Sequence, residues 1–210
     1  MVVGNLRERA RARVVSSARI VAATYGITAD FSKLVQDQAG LTRASFLELF
    51  PTQNSLLTAL HLSLADETIE RLRQGAEQVE IPAGLPVDEA VRAVVAALLR
   101  HNPMDRSAAV VRNRYRLIAM ENPEIATTYL ASNEPFVRAF STLIEATMAS
   151  AGLVLGISKV ALANVVSVWT ERAFEEWLIA GHDEHGFAAS PFASDTLPSL
   201  VRAFVSRVPS

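Results

Sequence analysis

Apolar residues recur at three- and four-residue steps along most of this chain, and Gly or Pro interrupts the pattern about every helix length. Such spacing lines one face of a helix, whereas a half-buried strand needs alternation on a two-residue period. Val14, Ala18, Val21, Ala22 and Tyr25 share a face of a helix expected from Arg7 to Tyr25, and Gly26 ends it. Asp30 stands where an N-cap belongs for a second, short helix carrying Phe31, Leu34, Val35 and Ala39. Gly40 supplies a tight turn. Thr42 is then placed to cap a third helix through Leu49, with Phe46 and Phe50 on one side, and Pro51 stops it. Thr52 caps a fourth helix striped by Leu56, Leu57, Leu60 and Leu64.

Gly75 to Pro86 holds two Gly and two Pro and reads as a loop. Further helices are expected near 87–101, 104–121, 124–151, 158–181 and 195–207, punctuated by Pro103, Pro123, Gly152, Gly156, Gly181, Gly186, Pro191 and Pro198. No strand-like alternation bounded by hairpin signals is visible, and no internal repeat. The expected fold class is all-α, with about nine helices, short at the front and long behind. At 210 residues and 50% apolar composition a sizeable core is available. The absence of Cys excludes disulfides and thiolate metal sites. No signal peptide and no uncharged run of spanning length is visible, so a cytoplasmic protein is expected.

Net charge is −2, which argues against wholesale coating of nucleic acid, but the charge is uneven. Residues 1–60 hold seven bases (Arg7, Arg9, Arg11, Arg13, Arg19, Lys33, Arg43) against four acids, and the remainder holds thirteen against eighteen. A small basic head on an acidic body fits a head that faces phosphate. Ordinary surface variation gives the same asymmetry.

The stretch "AGLTRASFLELFPTQNSLL", Ala39 to Leu57, follows a short helix and has the grammar of a helix-turn-helix. The second helix of such a motif enters the major groove, so it must be short, with N-terminal residues that reach base edges. Thr42 and Ser45 carry hydroxyls that suit a phosphate, and Arg43 suits a guanine edge or a phosphate.

This segment resembles the head of the tetracycline-repressor (TetR) family, which typically reads "AGVSKGTLYHHFPSKEALL". The matching positions are Ala39, Gly40, Leu41, Thr42, Arg43, Phe50, Pro51, Thr52, Leu56 and Leu57. "RLIAMENPEI" (Arg116–Ile125) is similar to a phrase common in actinobacterial members. The recognition helix is atypical. Leu47 stands where the family usually has a phosphate-touching Tyr, and Gln53 where it usually has a Lys. Ala44 replaces a Gly, Gln36 a small Ala, and Glu48 places an acid on or near the groove side. Each lost phosphate contact weakens binding and flattens its salt dependence. Glu48 either accepts from cytosine N4 or is a solvated helix residue. Arg7, Arg9, Arg11 and Arg13 are possible compensating contacts, although such a run is more often a solvated helix end.

The resemblance implies a DNA-binding head, 1–52, and a ligand-binding and dimerisation body, 53–210. It implies a homodimer through the last two helices, about 157–181 and 195–208, holding two heads roughly 34 Å apart on double-stranded DNA. It also implies a pocket for a small apolar or amphipathic ligand within the helices from about 87 to 180. Candidate wall residues are Tyr115, Phe136, Phe140, Met148, Trp169, Met120 and His101, each of which is as readily ordinary core.

Enzymatic chemistry finds no footing. There is no phosphate-cradling Gly loop, no nucleophile elbow and no Glu-x-x-His pair on a long helix. His182, Asp183, Glu184 and His185 look like metal ligands, but they sit between two glycines and have no further partner nearby in sequence. No metal, no cofactor and no membrane is expected. The expected function is a ligand-responsive DNA-binding transcriptional regulator, a repressor released by a small molecule. Its DNA-facing candidates are Arg43, Thr42, Ser45, Ala44, Leu47, Glu48, Lys33, Thr52 and Gln53. The alternative is a homodimeric small-molecule- or partner-binding protein whose head has lost specific DNA binding.

Overall fold

The computed structural model describes residues 2–102 and 104–207. Pro103 and Val208, the first expected to break a helix and the second to close the last one, lie outside the described residues. Among the described residues there are nine α-helices: α1 (Val2–Tyr25), α2 (Phe31–Gln38), α3 (Arg43–Leu49), α4 (Gln53–Gln78), α5 (Val87–His101), α6 (Arg106–Glu121), α7 (Pro123–Ser150), α8 (Lys159–Ile179) and α9 (Leu197–Arg202). The all-α expectation therefore holds. No helix among the described residues is long and apolar enough to cross a membrane.

The chain packs as two compact units. The first is Met1–Asp66 with Arg106–Ser132, and the second is Glu67–Asp105 with Asn133–Ser210. Residues 106–132 thus join the N-terminal helices, and α4 and α7 each give residues to both units. A packing unit is not a binding function, so the assignment of 1–52 to DNA and 53–210 to ligand and dimer is a separate matter.

In the first unit most of the periodic residues read from sequence are the core; Tyr25 is the exception, 63% exposed at the end of α1. Val14, Ala18 and Val21 of α1, Phe31 and Val35 of α2, Phe46 of α3, Phe50, and Leu56, Leu57 and Leu60 of α4 are all buried. They pack with Val111, Tyr115 and Ile125 from α6 and α7. Each Val, Leu, Ile or Phe side chain among them contributes about 1.5–3 kcal/mol by leaving water. That burial, rather than helix propensity, is what holds helices as short as α2 and α3, which would be marginal alone.

The second unit centres on Leu72, Val91, Val94, Leu98, Phe140, Leu143, Ile144, Leu162, Val166, Leu197 and Val201. Gly75 of α4 lies under the ring of His101 at the end of α5. A Cβ built on Gly75 would come within 2.5 Å of His101 Cγ, so only glycine admits this approach. The loop after α4 is tied down by Ile81 N–H, which donates to Ser150 Oγ at 2.8 Å.

The cap of α2 and the end of the chain depart from the sequence reading. Asp30 occupies the N-cap position of α2 but its side chain makes no capping bond; only its carbonyl engages the helix, accepting from Leu34 N–H at 3.0 Å. Helix α7 runs through Pro135, as the helix expected over 124–151 does. That residue is exposed, so the missing N–H and the freed carbonyl of Ala131 face water rather than core. The last helix ends at Arg202 instead of continuing to 207. The chain then forms β2 (Val205–Arg207), which pairs antiparallel with β1 (Leu153–Leu155), Leu153 opposite Arg207. Gly152, at φ 65°, turns the chain out of α7 into β1, and Gly156 N–H extends the ladder by donating to the Phe204 carbonyl at 2.7 Å. A wider π-helical turn, Phe192–Thr196, leads into α9.

Candidate nucleic-acid interface

The candidate interface is built on α3 and the turn before it. The chain leaves α2 with Ala39 N–H donating to the Val35 carbonyl at 2.9 Å and Gly40 N–H to Asp37 at 3.1 Å. Gly40 adopts φ 62°, a left-handed conformation that lets the chain reverse within a residue or two. Thr42 then caps α3 as its sequence position required. Its hydroxyl accepts from Ser45 N–H at 3.3 Å and donates to Ser45 Oγ at 3.0 Å.

Helix α3 divides its seven residues cleanly. Phe46 and Leu49 are buried, and Phe50 just beyond them is fully buried. Phe46 and Phe50 rings pack with centroids 6.2 Å apart. Arg43, Ala44, Ser45, Leu47 and Glu48 are exposed, as is the capping Thr42. Six of the nine sequence candidates thus form one continuous outward face, with Leu47 the apolar member at 44% exposure. Lys33 is exposed on α2.

Thr52 and Gln53 have jobs within the head. Thr52 Oγ1 accepts from Ser55 N–H at 3.0 Å, and Ser55 Oγ donates to the Thr52 carbonyl at 2.7 Å, a cap for α4. Gln53 Oε1 accepts from Ser32 Oγ and its Nε2 donates to the Thr28 carbonyl, both at 3.5 Å, linking the starts of α4 and α2.

Two residues read from sequence only as possible phosphate contacts sit at the other end of α3. Arg7 Nη2 donates to the Glu48 carbonyl at 3.4 Å, and Arg11 Nη1 donates to the Leu49 carbonyl at 3.2 Å. The Arg11 guanidinium also lies over the Phe50 ring, 4.5 Å from its centroid. The signal available in sequence was their four-residue spacing, which puts both on one side of α1. Arg9 and Arg13 are exposed.

The candidate ligand residues fall into three settings. Tyr115 is fully buried in the first unit, where its phenol donates to Thr58 Oγ1 at 3.1 Å. It stacks on His61 with ring centroids 4.4 Å apart, and Tyr129 lies 5.8 Å from the same imidazole. Phe136 and Phe140 stack at 5.8 Å in the core of the second unit, which Met148 shares. His101 is half-buried over Gly75. Met120 and Trp169 face water, 71% and 52% exposed.

His61 was not singled out by sequence. It is buried, and its Nε2 lies 3.0 Å from Ser132 Oγ. Ser132 gives its own hydroxyl proton to the Tyr129 carbonyl at 2.7 Å, which leaves Nε2–H of a neutral imidazole as the donor to Ser132. Burial first, and the charge of Arg112 second, lower the His61 pKa to about 4.

Of the two histidines after α8, His182 has a ring partner, while His185 is exposed and takes part through its backbone. His182 stacks on Trp177 at 4.0 Å, and Trp177 Nε1 donates to the Asp183 carbonyl at 2.7 Å. Asp183 Oδ1 accepts from His185 N–H at 2.8 Å. Among the described residues no group of three or more His, Cys, Asp or Glu is placed to hold a metal ion.

No protein-family model and no curated protein sequence matches this chain. Solved structures do. A protein from Mesorhizobium loti described as a TetR-family transcriptional regulator superposes with a TM-score of 0.67 at 12% identity, over 94% of this chain and 96% of its own. A protein from Saccharomonospora viridis described as a transcriptional regulator, in complex with choline, gives 0.65 at 14% identity over 95% and 100%. The fatty acid degradation regulator FadR from Bacillus halodurans gives 0.61 at 12% identity over 91% and 97%. Identity this low speaks for architecture alone, and over nearly the full length of each of these chains the architecture is shared: this chain has the fold of the TetR-family transcriptional regulators.

Proposed function

We propose that the chain is a DNA-binding transcriptional regulator of cytoplasmic location, acting as a homodimeric repressor that a small apolar or amphipathic molecule releases from its operator. The observation that carries this reading is the separation of faces on α3. Phe46, Leu49 and Phe50 anchor the helix while Thr42, Arg43, Ala44, Ser45, Leu47 and Glu48 are presented outward, after a Gly turn of helix-turn-helix form. In this reading Arg43 reads a base edge, and Thr42, Ser45, Lys33 and Thr52 lie along the phosphates.

The dimer reading is supported by α8. Val160, Val168, Trp169 and Ile179 are exposed on it, Val168 and Ile179 on one face, and apolar surface of this kind is stabilised when covered. The contribution of α9 is smaller than its sequence suggested, because Leu197 and Val201 are spent on the core of their own unit. Ligand release follows if DNA and ligand favour different arrangements of the paired heads, a coupling typically of about 1–3 kcal/mol. Choline and fatty acyl compounds enter a ligand screen through the two proteins of this fold named above.

The second reading, a homodimeric binding protein whose head has lost specific DNA binding, is favoured by three residues. Leu47 and Glu48 occupy the outward face, and the Gln53 side chain is engaged inside the head. Fluorescence anisotropy on duplex DNA from the chain's own upstream region, against scrambled DNA and across a salt series, separates the two. Selective binding supports the regulator. Absence of selectivity on this and on genomic-library DNA at low salt favours the second reading.

A further inference from the structure

We propose that Arg7 and Arg11 are positioning residues that order the reading helix from its C-terminal end, and that they act on DNA through α3 rather than by touching phosphate. This rests on the reading of α3 as the DNA-facing helix.

Helix α3 spans seven residues, less than two turns, and its last carbonyls have no partner within the helix. A helix this short does not sustain itself in water. Its N-terminus is held by the Thr42 hydroxyl. Its C-terminus has no Gly cap, since Phe50 follows at φ −138° and Pro51 comes next. The carbonyls of Glu48 and Leu49 instead accept from Arg7 and Arg11, two guanidinium groups one turn apart on α1. Cations are favoured at this end, where the peptide dipoles leave partial negative charge. Arg11 is fixed further by the face of Phe50, the residue that anchors α3 in the core.

An Arg fork spent on a backbone carbonyl is turned toward the protein. All four arginines are exposed and equally charged; what sets Arg7 and Arg11 apart from Arg9 and Arg13 is their donation to carbonyls of α3. The four arginines thus split into a pair that clamps and a pair that is available to solvent or phosphate.

The test compares R7A/R11A with R9A/R13A in the full chain, two variants of identical charge change. Hydrogen exchange of the Phe46 to Phe50 amides is measured without DNA. R7A/R11A should accelerate it roughly five- to tenfold, and R9A/R13A should leave it at the wild-type rate. Equal exchange in the two variants overturns the proposal. On DNA, R7A/R11A should weaken binding while changing the slope of log affinity against log salt by less than about one. A slope flattened by about two makes both residues phosphate ligands and also overturns it. Should R7A/R11A lose helical circular dichroism, R11A alone is read by the same criteria. If the wild-type chain shows no selective DNA binding, the regulator reading falls, while the exchange comparison still decides the clamp.

Discussion

Acidification should destabilise the first unit through His61, by an amount that follows from its surroundings. The imidazole is buried in a cluster with Tyr115 and Tyr129, and its pKa of about 4 lies well below the 6.5 of an exposed histidine. Between those two values the unfolded chain binds a proton that the folded one excludes, so stability falls as pH falls. The contribution is essentially complete above pH 6.5 and is lost progressively down to about pH 4. For these two pKa values, going from pH 7 to pH 5 removes about 2 kcal/mol. Carboxylates add their own slopes over the same range, so the measurement is a difference. Urea midpoints would be taken at fixed protein concentration at pH 7, 6 and 5 for the wild type and for His61→Gln, which keeps a donor for Ser132 but cannot titrate. The variant should start less stable at pH 7 and lose about 2 kcal/mol less on acidification. Parallel curves would refute the reasoning, as would an NMR titration of the His61 ring with a midpoint above 6.

Gly75→Ala should destabilise the second unit by about 1–3 kcal/mol, despite the better helix propensity of Ala, because the new methyl meets the His101 ring. Adding His101→Ala should recover most of that loss in thermal melts; no recovery would mean that the crossing at Gly75 is not set by His101. Thr42→Ala should cost about 1 kcal/mol in urea unfolding by removing the α3 cap, and Thr42→Ser should cost much less. Arg43→Ala should weaken binding to selected operator DNA by about 1–3 kcal/mol while leaving scrambled DNA nearly unaffected. An equal loss on both DNAs would make Arg43 a phosphate contact.

The head was legible because its rules are local. Gly26, Gly40 and Pro51 end helices where their backbone chemistry demands, Thr42 and Thr52 cap within three residues, and Phe46 and Phe50 lie one turn apart. What was missed depends on partners distant in sequence. The β1–β2 ribbon joins residues about fifty apart, and three-residue strands carry too little alternation to announce themselves. Asp30 is a good N-cap residue by type, yet the backbone before α2 does not bring its carboxylate to the helix amides. Met120 and Trp169 show the limit of periodicity on helices with more than one apolar face, where spacing does not say which face is covered. His61 needed burial and two tyrosines, from α6 and α7, before its charge state could be read.

If α3 is the DNA-facing helix, its division of labour bears on how the target could be changed. The side chains that fix the helix are Phe46, Leu49 and Phe50, with Thr42 at the front. Those at 43, 44, 47 and 48 reach solvent, Leu47 with 44% of its surface, and the Glu48 atom that matters to the fold is its backbone carbonyl. Substitution at these four positions is therefore nearly free of folding cost. The same four positions define a compact combinatorial library: randomised together on an unchanged scaffold and selected against arrays of duplexes, they would measure how many sequences this one helix can be made to read.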